Sequence, residues 1–128
     1  MSHQLPEILN LIKKMHRKFG ITSDLVPFSL KEKEFRIMAM QEELDEYIDA
    51  TTKEEELDAL IDLVVFALGT AERQGMLEVF AQGFSRVMAA NCMKEVGPNK
   101  KRDSFALDLV KPEGWQSPVL SDLVEESK

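Results

Sequence analysis

Apolar residues recur at helical spacing in four stretches of the chain, and glycines and prolines separate these stretches. In the first stretch, 5–19, apolar side chains lie three or four residues apart, and Gly20 follows. The second, 31–50, contains neither glycine nor proline and comes after Ser29, a residue type that caps helix N-termini. This spacing is typical of amphipathic helices with one buried face. We therefore predict helices over 5–19 and 31–50.

Two further helices are predicted after a threonine pair in the middle of the chain. Thr51 and Thr52 each precede a glutamate by three residues, which is the capping-box pattern of a helix start. This third helix is expected to run to about Gln74 and to end at Gly75. A fourth is expected over 76–95, ahead of a glycine–proline pair. The short connections place consecutive helices antiparallel, so the predicted fold class is all-α, an antiparallel four-helix bundle.

The C-terminal quarter of the chain has a different pattern. Residues 97–128 hold three of the five prolines and the only tryptophan, and their apolar residues show no sustained periodicity. No strand pattern is evident. We predict a helical domain over 1–96 and an irregular tail over 97–128, which packs on the same domain or on a neighbouring subunit and is frayed at its end.

Composition and charge limit the classes of function. A chain of 128 residues with 44% apolar residues fits one soluble domain. Its net charge of −7 argues against nucleic acid or an anionic membrane as a partner. The single cysteine excludes an internal disulfide. Neither a signal peptide nor a membrane span is predicted, so the expected location is the cytoplasm.

One charged residue interrupts the most apolar segment. Asp62 lies in the middle of LDALIDLVVFALG, residues 57–69. Carboxylates among apolar neighbours are seldom buried unless they are paired or bind a metal. Two explanations stay open at this point: a salt bridge, for which Arg36 is the candidate partner, or a cation site.

Other carboxylates share helix faces near Asp62. Glu43 and Glu46 are three residues apart on the second helix, and Asp58 precedes Asp62 by four residues on the third. Adjacent antiparallel helices would direct them into one gap, where two carboxylates ~6 Å apart repel by roughly 3 kcal/mol at an effective dielectric of about 20. Protonation, pairing with a basic side chain or a bound cation would offset this repulsion. Oxygen ligands without a suitably placed histidine favour Mg²⁺, Mn²⁺ or Ca²⁺ over zinc.

The order of these motifs resembles a known superfamily. EELDE at 42–46, followed by an acid-rich start to DALIDLVVFALGTA, resembles the MazG-like all-α nucleoside triphosphate pyrophosphohydrolases. This superfamily includes MazG, dimeric dUTPases and phosphoribosyl-ATP pyrophosphohydrolase, and the small single-domain members, among them phage proteins, are the most similar. Its signature is Glu-Glu-x-x-Glu followed by Glu-x-x-Asp on the next helix. The resemblance extends from the first helix through Lys94.

The resemblance implies Mg²⁺ as the cofactor, with Mn²⁺ as the alternative ion. The implied metal ligands are Glu43, Glu46, Asp58 and Asp62, and Glu42 or Glu43 is implied as the base that orients and deprotonates the attacking water. The second motif departs from the signature because Ala59 stands where the superfamily usually has glutamate. Either Asp58 or Glu55 then completes that motif. We favour Asp58, since the literal match Glu55-x-x-Asp58 leaves Asp62 unexplained.

Four residues are predicted to bind the substrate. Asn91 and Lys94 resemble the Asn-x-x-Lys that contributes to the nucleotide site of the superfamily. An amide and a positive charge on one helix face suit a sugar hydroxyl and a phosphate. Lys111, in the basic tail, and Arg36, beside the carboxylates on the second helix, complete this set.

The implied reaction is Mg²⁺-dependent hydrolysis of a (deoxy)nucleoside triphosphate to the monophosphate and pyrophosphate, by attack of water on the α-phosphorus. The alternative is a non-catalytic helical module that binds nucleotides or assembles with a partner. Apolar residues lie nearly all round the third helix, more than one buried face requires. We therefore expect a homodimer or homotetramer.

Overall fold

The computed structural model describes residues 5–126 and is mostly helical. Its elements are the long helices α1 (Leu5–Lys18), α2 (Leu30–Asp49), α3 (Lys53–Arg73) and α4 (Leu77–Cys92), the two-residue strands β1 (Glu95–Val96) and β2 (Leu109–Val110), and the short helix α5 (Ser121–Glu126). The all-α class predicted from the sequence is confirmed. Among the described residues, no helix is long and apolar enough to cross a membrane.

The helix boundaries follow from the capping residues that the sequence shows. The Ser29 hydroxyl accepts a hydrogen bond from the backbone N–H of Glu32 at 3.0 Å, and α2 begins at the next residue. Thr52 caps α3 by accepting from the N–H of Glu55 at 3.1 Å. Gly20 adopts a left-handed conformation with φ of 69°, which closes the turn after α1. The first three helices therefore lie within one or two residues of their predicted limits.

The region after α4 corrects two predictions. α4 ends at Cys92 rather than near 95, because the N–H groups of Met93 and Lys94 turn back to carbonyls only three residues earlier. β1 then pairs antiparallel with β2, although no strand was predicted. A strand of two residues is too short to show an alternating pattern, which explains the omission. The predicted fraying of the last residues concerns 127–128, outside the described residues.

The chain divides into two compact units, the first ending at Glu78 and the second beginning at Val79. The first contains α1, α2 and α3. The second contains most of α4, both strands, a 3-10 helix at Lys100–Arg102 and α5. The predicted limits of 1–96 and 97–128 stay a prediction.

In the first unit, both α1 and α2 pack against α3. Ala39 on α2 and Ala59 on α3 are almost completely buried, with 5% and 2% of their surface exposed. Small side chains at buried positions let helix backbones approach closely. Leu9 and Ile12 of α1 and Leu68 of α3 contribute further apolar side chains to this core. The close approach of α2 and α3 brings the acidic residues of the two helices together.

A buried polar layer ties the connection between α1 and α2 to the end of α3. His16 Nδ1 and Glu72 Oε1 are 2.5 Å apart, and Glu72 Oε2 accepts from the N–H of Ser23 at 2.9 Å. Burial disfavours the charged carboxylate, but these hydrogen bonds outweigh it and hold the pKa of Glu72 below its usual range. Arg73 forms two 2.7 Å hydrogen bonds to Glu32. Sequence analysis did not identify this layer.

Gly69 of α3 lies against the side chains of Arg36 and His16, where there is no room for a Cβ atom. A Cβ at Gly69 would lie 2.9 Å from Arg36 Nη1 and 3.3 Å from His16 Nε2. We expect Gly69→Ala to destabilise the fold by about 1–3 kcal/mol in urea denaturation, as overpacked sites do. Gly83→Ala in α4 is the matched control, because its Cβ would meet Leu123 at an ordinary 3.6 Å. That variant should be neutral or stabilised by up to about 1 kcal/mol; equal destabilisation of both variants would contradict the steric explanation.

Candidate active site

Three of the predicted metal ligands lie together between α2 and α3. Glu43, Glu46 and Asp62 each contribute one carboxylate oxygen to a cluster in which these atoms are all within 4.8 Å of one another. Glu43 and Asp62 are half-buried, and Glu46 is exposed. The three-residue spacing on α2 and the packing of α3 together produce this arrangement. We refer to these three residues as the acidic cluster.

The acidic cluster is electrostatically unfavourable by itself. Burial, a shared hydrogen bond with Glu46 and the charges of Glu46, Asp62 and Asp58 raise the pKa of Glu43 to about 7. Burial, followed by the charges of Asp58 and Glu46, also raises the pKa of Asp62. Such shifts arise where carboxylates share a site without an opposing cation.

One atom of the acidic cluster lacks a partner. Glu43 Oε2 is buried and has no hydrogen-bond partner among the described residues. A buried carboxylate oxygen without a partner carries a desolvation penalty that a proton or a hard cation can offset. With a donor set made only of carboxylates, the residues present fit Mg²⁺ or Mn²⁺.

A cavity of about 280 Å³ lies beside the acidic cluster and is lined by Glu46, Asp49, Glu55 and Asp58. Glu55 Oε1 accepts hydrogen bonds at 3.2 Å from the hydroxyls of the two threonines before α3. One oxygen of this carboxylate is therefore already engaged in capping the helix. Asp58 instead contributes to the raised pKa values of Glu43 and Asp62. This difference favours Asp58 as the fourth carboxylate, and its role as a ligand stays a prediction.

Asp49 is a carboxylate of this cavity that sequence analysis missed. It follows Glu46 by three residues on α2, the same spacing that separates Glu43 from Glu46. The spacing rule could therefore have identified it. It lies in the last turn of α2, where the start of α3 brings Glu55 and Asp58 to the same cavity.

Arg36 does not explain the position of Asp62. The Arg36 side chain is buried, and its Nε lies 3.4 Å from a carboxylate oxygen of Glu32. Among the residues that the structure describes, Asp62 has no ion-pair partner, so the salt-bridge explanation was wrong. The substrate-binding role of Arg36 and the catalytic role of Glu42, which is exposed on α2, stay predictions.

The second unit holds the other predicted substrate-binding residues. The Nζ atoms of Lys94 and Lys111 each lie 5.1 Å from the centre of the Trp115 ring. Trp115 Nε1 donates to the carbonyl of Ala90 at 2.7 Å, which fastens this segment to α4. Asn91 is half-buried near the end of the same helix. The structure thus brings the two lysines together, and the function of all three stays a prediction.

The raised pKa of Glu43 predicts how stability changes with pH when no metal is present. Because the folded chain holds this proton up to about pH 7 and the unfolded chain releases it near 4.5, stability should fall as pH rises through that window. Glu43→Gln removes this dependence, so in EDTA the variant should be more stable than the native chain at pH 8 and similar to it at pH 4.5. Urea denaturation at both pH values measures the difference.

Glu42→Gln, an exposed change on the same turn of α2, is the control for this measurement. It should follow the native chain at both pH values. A Glu43→Gln variant that loses as much stability as the native chain between pH 4.5 and 8 would contradict the prediction.

The fold and the acidic cluster define the class: an all-α protein in which two packed helices present carboxylates of the kind that bind divalent cations. Residues 12–88, which include the whole acidic cluster, match the family model of phosphoribosyl-ATP pyrophosphohydrolase. Because the match covers more than half of the chain, the protein belongs to this family, which is part of the MazG-like all-α superfamily. The predicted relationship is confirmed.

Membership of this family indicates a nucleotide pyrophosphohydrolase, a hydrolase that acts on phosphoric anhydrides. The matched region ends before the three candidate residues of the second unit. A search of curated proteins gave no match to the chain.

Proposed function

We propose that this protein hydrolyses a (deoxy)nucleoside triphosphate to the monophosphate and pyrophosphate, with Mg²⁺ as cofactor and Mn²⁺ as the alternative ion. The observation that carries the proposal is the convergence of Glu43, Glu46 and Asp62 in a member of a pyrophosphohydrolase family. The cluster lies beside a cavity in which Asp58 supplies a fourth carboxylate. The cavity is lined by four carboxylates, two of them from Glu46 and Asp58, and this lining suits a substrate that arrives with divalent cations on its phosphates.

In this proposal Glu43, Glu46, Asp58 and Asp62 hold the metal. A bound Mg²⁺ would supply charge neutralisation for the phosphates and a lowered pKa for a coordinated water. The protein itself would supply the base that accepts a proton from the attacking water. Glu43 is the first candidate for this base, because its buried Oε2 has no hydrogen-bond partner among the described residues. Glu42, exposed on the same turn, is the second candidate for this base.

The proposed reaction breaks the bond between the α- and β-phosphates. Water attacks the α-phosphorus, the base takes its proton, and pyrophosphate leaves. Asn91, Lys94, Lys111 and Arg36 are the proposed contacts to the nucleotide. Lysine acts as a point charge on phosphate oxygens, and an asparagine amide can bond a sugar hydroxyl.

Product analysis tests the proposed function directly. A panel of canonical and modified NTPs and dNTPs is incubated with the full chain in Mg²⁺, Mn²⁺ or EDTA, and pyrophosphate and monophosphate are quantified. Metal-dependent release of both products supports the proposal. The nucleotide that is hydrolysed fastest across the panel identifies the preferred substrate. Orthophosphate with a nucleoside diphosphate would refute attack at the α-phosphorus.

Ala59 favours a second candidate, a family member that binds nucleotides without hydrolysing them. This residue occupies the usual position of a glutamate in the second motif and is 2% exposed. Thermal melting with and without Mg²⁺ separates the candidates when it is combined with product analysis. Stabilisation by metal and nucleotide without any product across the panel would favour the binding protein, since a ligand of the folded state raises stability by mass action alone.

We also propose that the chain forms a homodimer or a dimer of dimers. One face of α3 exposes large apolar side chains, with 44–59% of each accessible: Leu57, Leu60, Ile61 and Val64. Monomeric proteins rarely expose contiguous apolar surface of this kind. Sedimentation velocity should give at least twice the 14.6 kDa chain mass for the native protein and a smaller species for Ile61→Glu; a native monomer would refute the proposal.

A further inference from the structure

The segment that connects β1 to β2 forms a basic cavity in the second unit. The cavity has a volume of about 510 Å³, and five basic residues line it: Lys94, Lys100, Lys101, Arg102 and Lys111. No carboxylate is among its lining residues within the described part of the chain. We refer to this cavity as the basic pocket. Its charge is opposite to that of the whole protein, which carries −7.

Local hydrogen bonds hold the segment in place. Asn99 Oδ1 accepts from the backbone N–H of Lys101 at 3.0 Å and so caps the 3-10 helix that carries three of the basic residues. Arg102 forms a two-bond pair with Asp108, at 2.9 and 2.8 Å. The pairing of β1 with β2 closes the segment at its base. The basic residues are therefore presented by an ordered turn rather than by an unstructured chain.

The lysine charges in this pocket are only weakly neutralised by the protein, through the interaction of Lys94 with the charge of Asp108. Asp108 pairs with Arg102, whereas none of the four lysines has an ion-pair partner among the residues described. The Nζ atoms of Lys94 and Lys111 each lie 5.1 Å from the centre of the same tryptophan ring, within the range of a cation–π interaction. Four unpaired ammonium groups around one cavity define a site for a multiply charged anion.

We propose that the basic pocket binds a diphosphate group in the absence of metal, through Lys100, Lys101 and Lys111. The clustered lysine charges match the several negative charges of a diphosphate better than those of one phosphate, and the 510 Å³ volume accommodates both phosphoryl groups. Both inorganic pyrophosphate and the terminal phosphates of a nucleoside triphosphate carry this group. The inference rests on the charges of the pocket and does not require that the protein be a hydrolase.

Calorimetric titration of the full chain with pyrophosphate in EDTA tests the proposal. Lys100→Gln/Lys101→Gln should weaken binding at least about tenfold, the effect of losing one charge-assisted hydrogen bond. Lys31→Gln/Lys33→Gln is the matched control, since it removes the same charge from an exposed face of α2. Its affinity should stay within about twofold of the native value, because neither of these lysines lines the basic pocket. No binding by the native chain, or equal loss in both double variants, would overturn the proposal.

The fluorescence of Trp115 locates the bound anion. It is the only tryptophan, and the ammonium groups of Lys94 and Lys111 lie over its ring. Pyrophosphate should therefore change its emission with the same midpoint as the heat signal. A saturating heat signal without any change in emission would overturn the assignment to this pocket.

Further titrations identify the source of the diphosphate. A nucleoside triphosphate that binds more tightly than pyrophosphate indicates the substrate's phosphates, and equal or weaker binding indicates free pyrophosphate. Orthophosphate binding as tight as pyrophosphate would overturn the diphosphate assignment. Glu43→Gln separates this proposal from the hydrolytic one, because it should lose turnover and keep metal-free pyrophosphate binding.

Discussion

Asp62→Asn is expected to eliminate most metal-dependent pyrophosphate release while the chain remains folded. The substitution preserves the shape of the side chain and removes one of the clustered charges. Substitution of residues that merely support metal ligands commonly costs 10–100-fold, so loss of a ligand should reduce turnover by at least about 100-fold. Because burial, and after it the charges of Asp58 and Glu46, raise the pKa of Asp62 and oppose its ionisation, the variant should also be at least as stable as the native chain in EDTA.

The prediction is specific because turnover should fall while stability in EDTA should not. Mg²⁺ should raise the melting temperature of the native chain, and Asp62→Asn should lose that rise. Asp45→Asn is the control: Asp45 is exposed on α2 and accepts a hydrogen bond from Gln41 at 3.1 Å. It should retain both turnover and the response to Mg²⁺. Full metal-dependent turnover by Asp62→Asn would refute the proposed role of the acidic cluster.

Arg73→Met is expected to cause the largest loss of stability. Only 2% of Arg73 is exposed, and besides its two bonds to Glu32 it donates to the carbonyls of Val26 at 2.8 Å and Pro27 at 3.2 Å. Removing it leaves Glu32 without its main partner and leaves the two carbonyls without donors. Loss of one member of a buried ion pair typically costs 3–5 kcal/mol, so we expect about that decrease in urea denaturation.

Two further variants separate the ion pair from a general effect of losing a charge. Arg17→Met removes an exposed arginine of α1 and should change stability by no more than about 0.5 kcal/mol. Glu32→Gln combined with Arg73→Met should be less destabilised than the sum of the single variants, because the interaction between these two side chains is lost only once. A loss below about 1 kcal/mol for Arg73→Met would contradict the proposed importance of this pair.

The sequence was informative about the candidate site because both halves of the acidic cluster follow helical spacing. Glu43 and Glu46 share a face by three-residue spacing, and Asp62 stands out as a carboxylate in an apolar segment. Asp49 was missed although the same spacing applies to it. The depth of Glu43, and hence the pKa near 7, depends on how closely α3 approaches α2, which no local pattern records.

Local signals also determined most of the helix limits. Ser29 and Thr52 form their caps with neighbours three residues away, so these interactions are visible in the sequence. The early end of α4 was missed because β1 pairs with residues 109–110, more than ten positions along the chain. Two-residue strands that pair over that distance are too short to show an alternating apolar–polar pattern in the sequence.

By itself the sequence determined the all-α class, the starts of the helices and the family, because each depends on spacing within a few residues. Only the tertiary structure decided that Arg36 pairs with Glu32 rather than Asp62, and that Arg73 fastens the α1–α2 connection to α3. It alone brought Lys94 and Lys111 to the Trp115 ring and joined them with Lys100 and Lys101 in the lining of one cavity. These contacts join residues that lie far apart in the chain or have several candidate partners, and which partner is reached depends on how the helices and the turn pack.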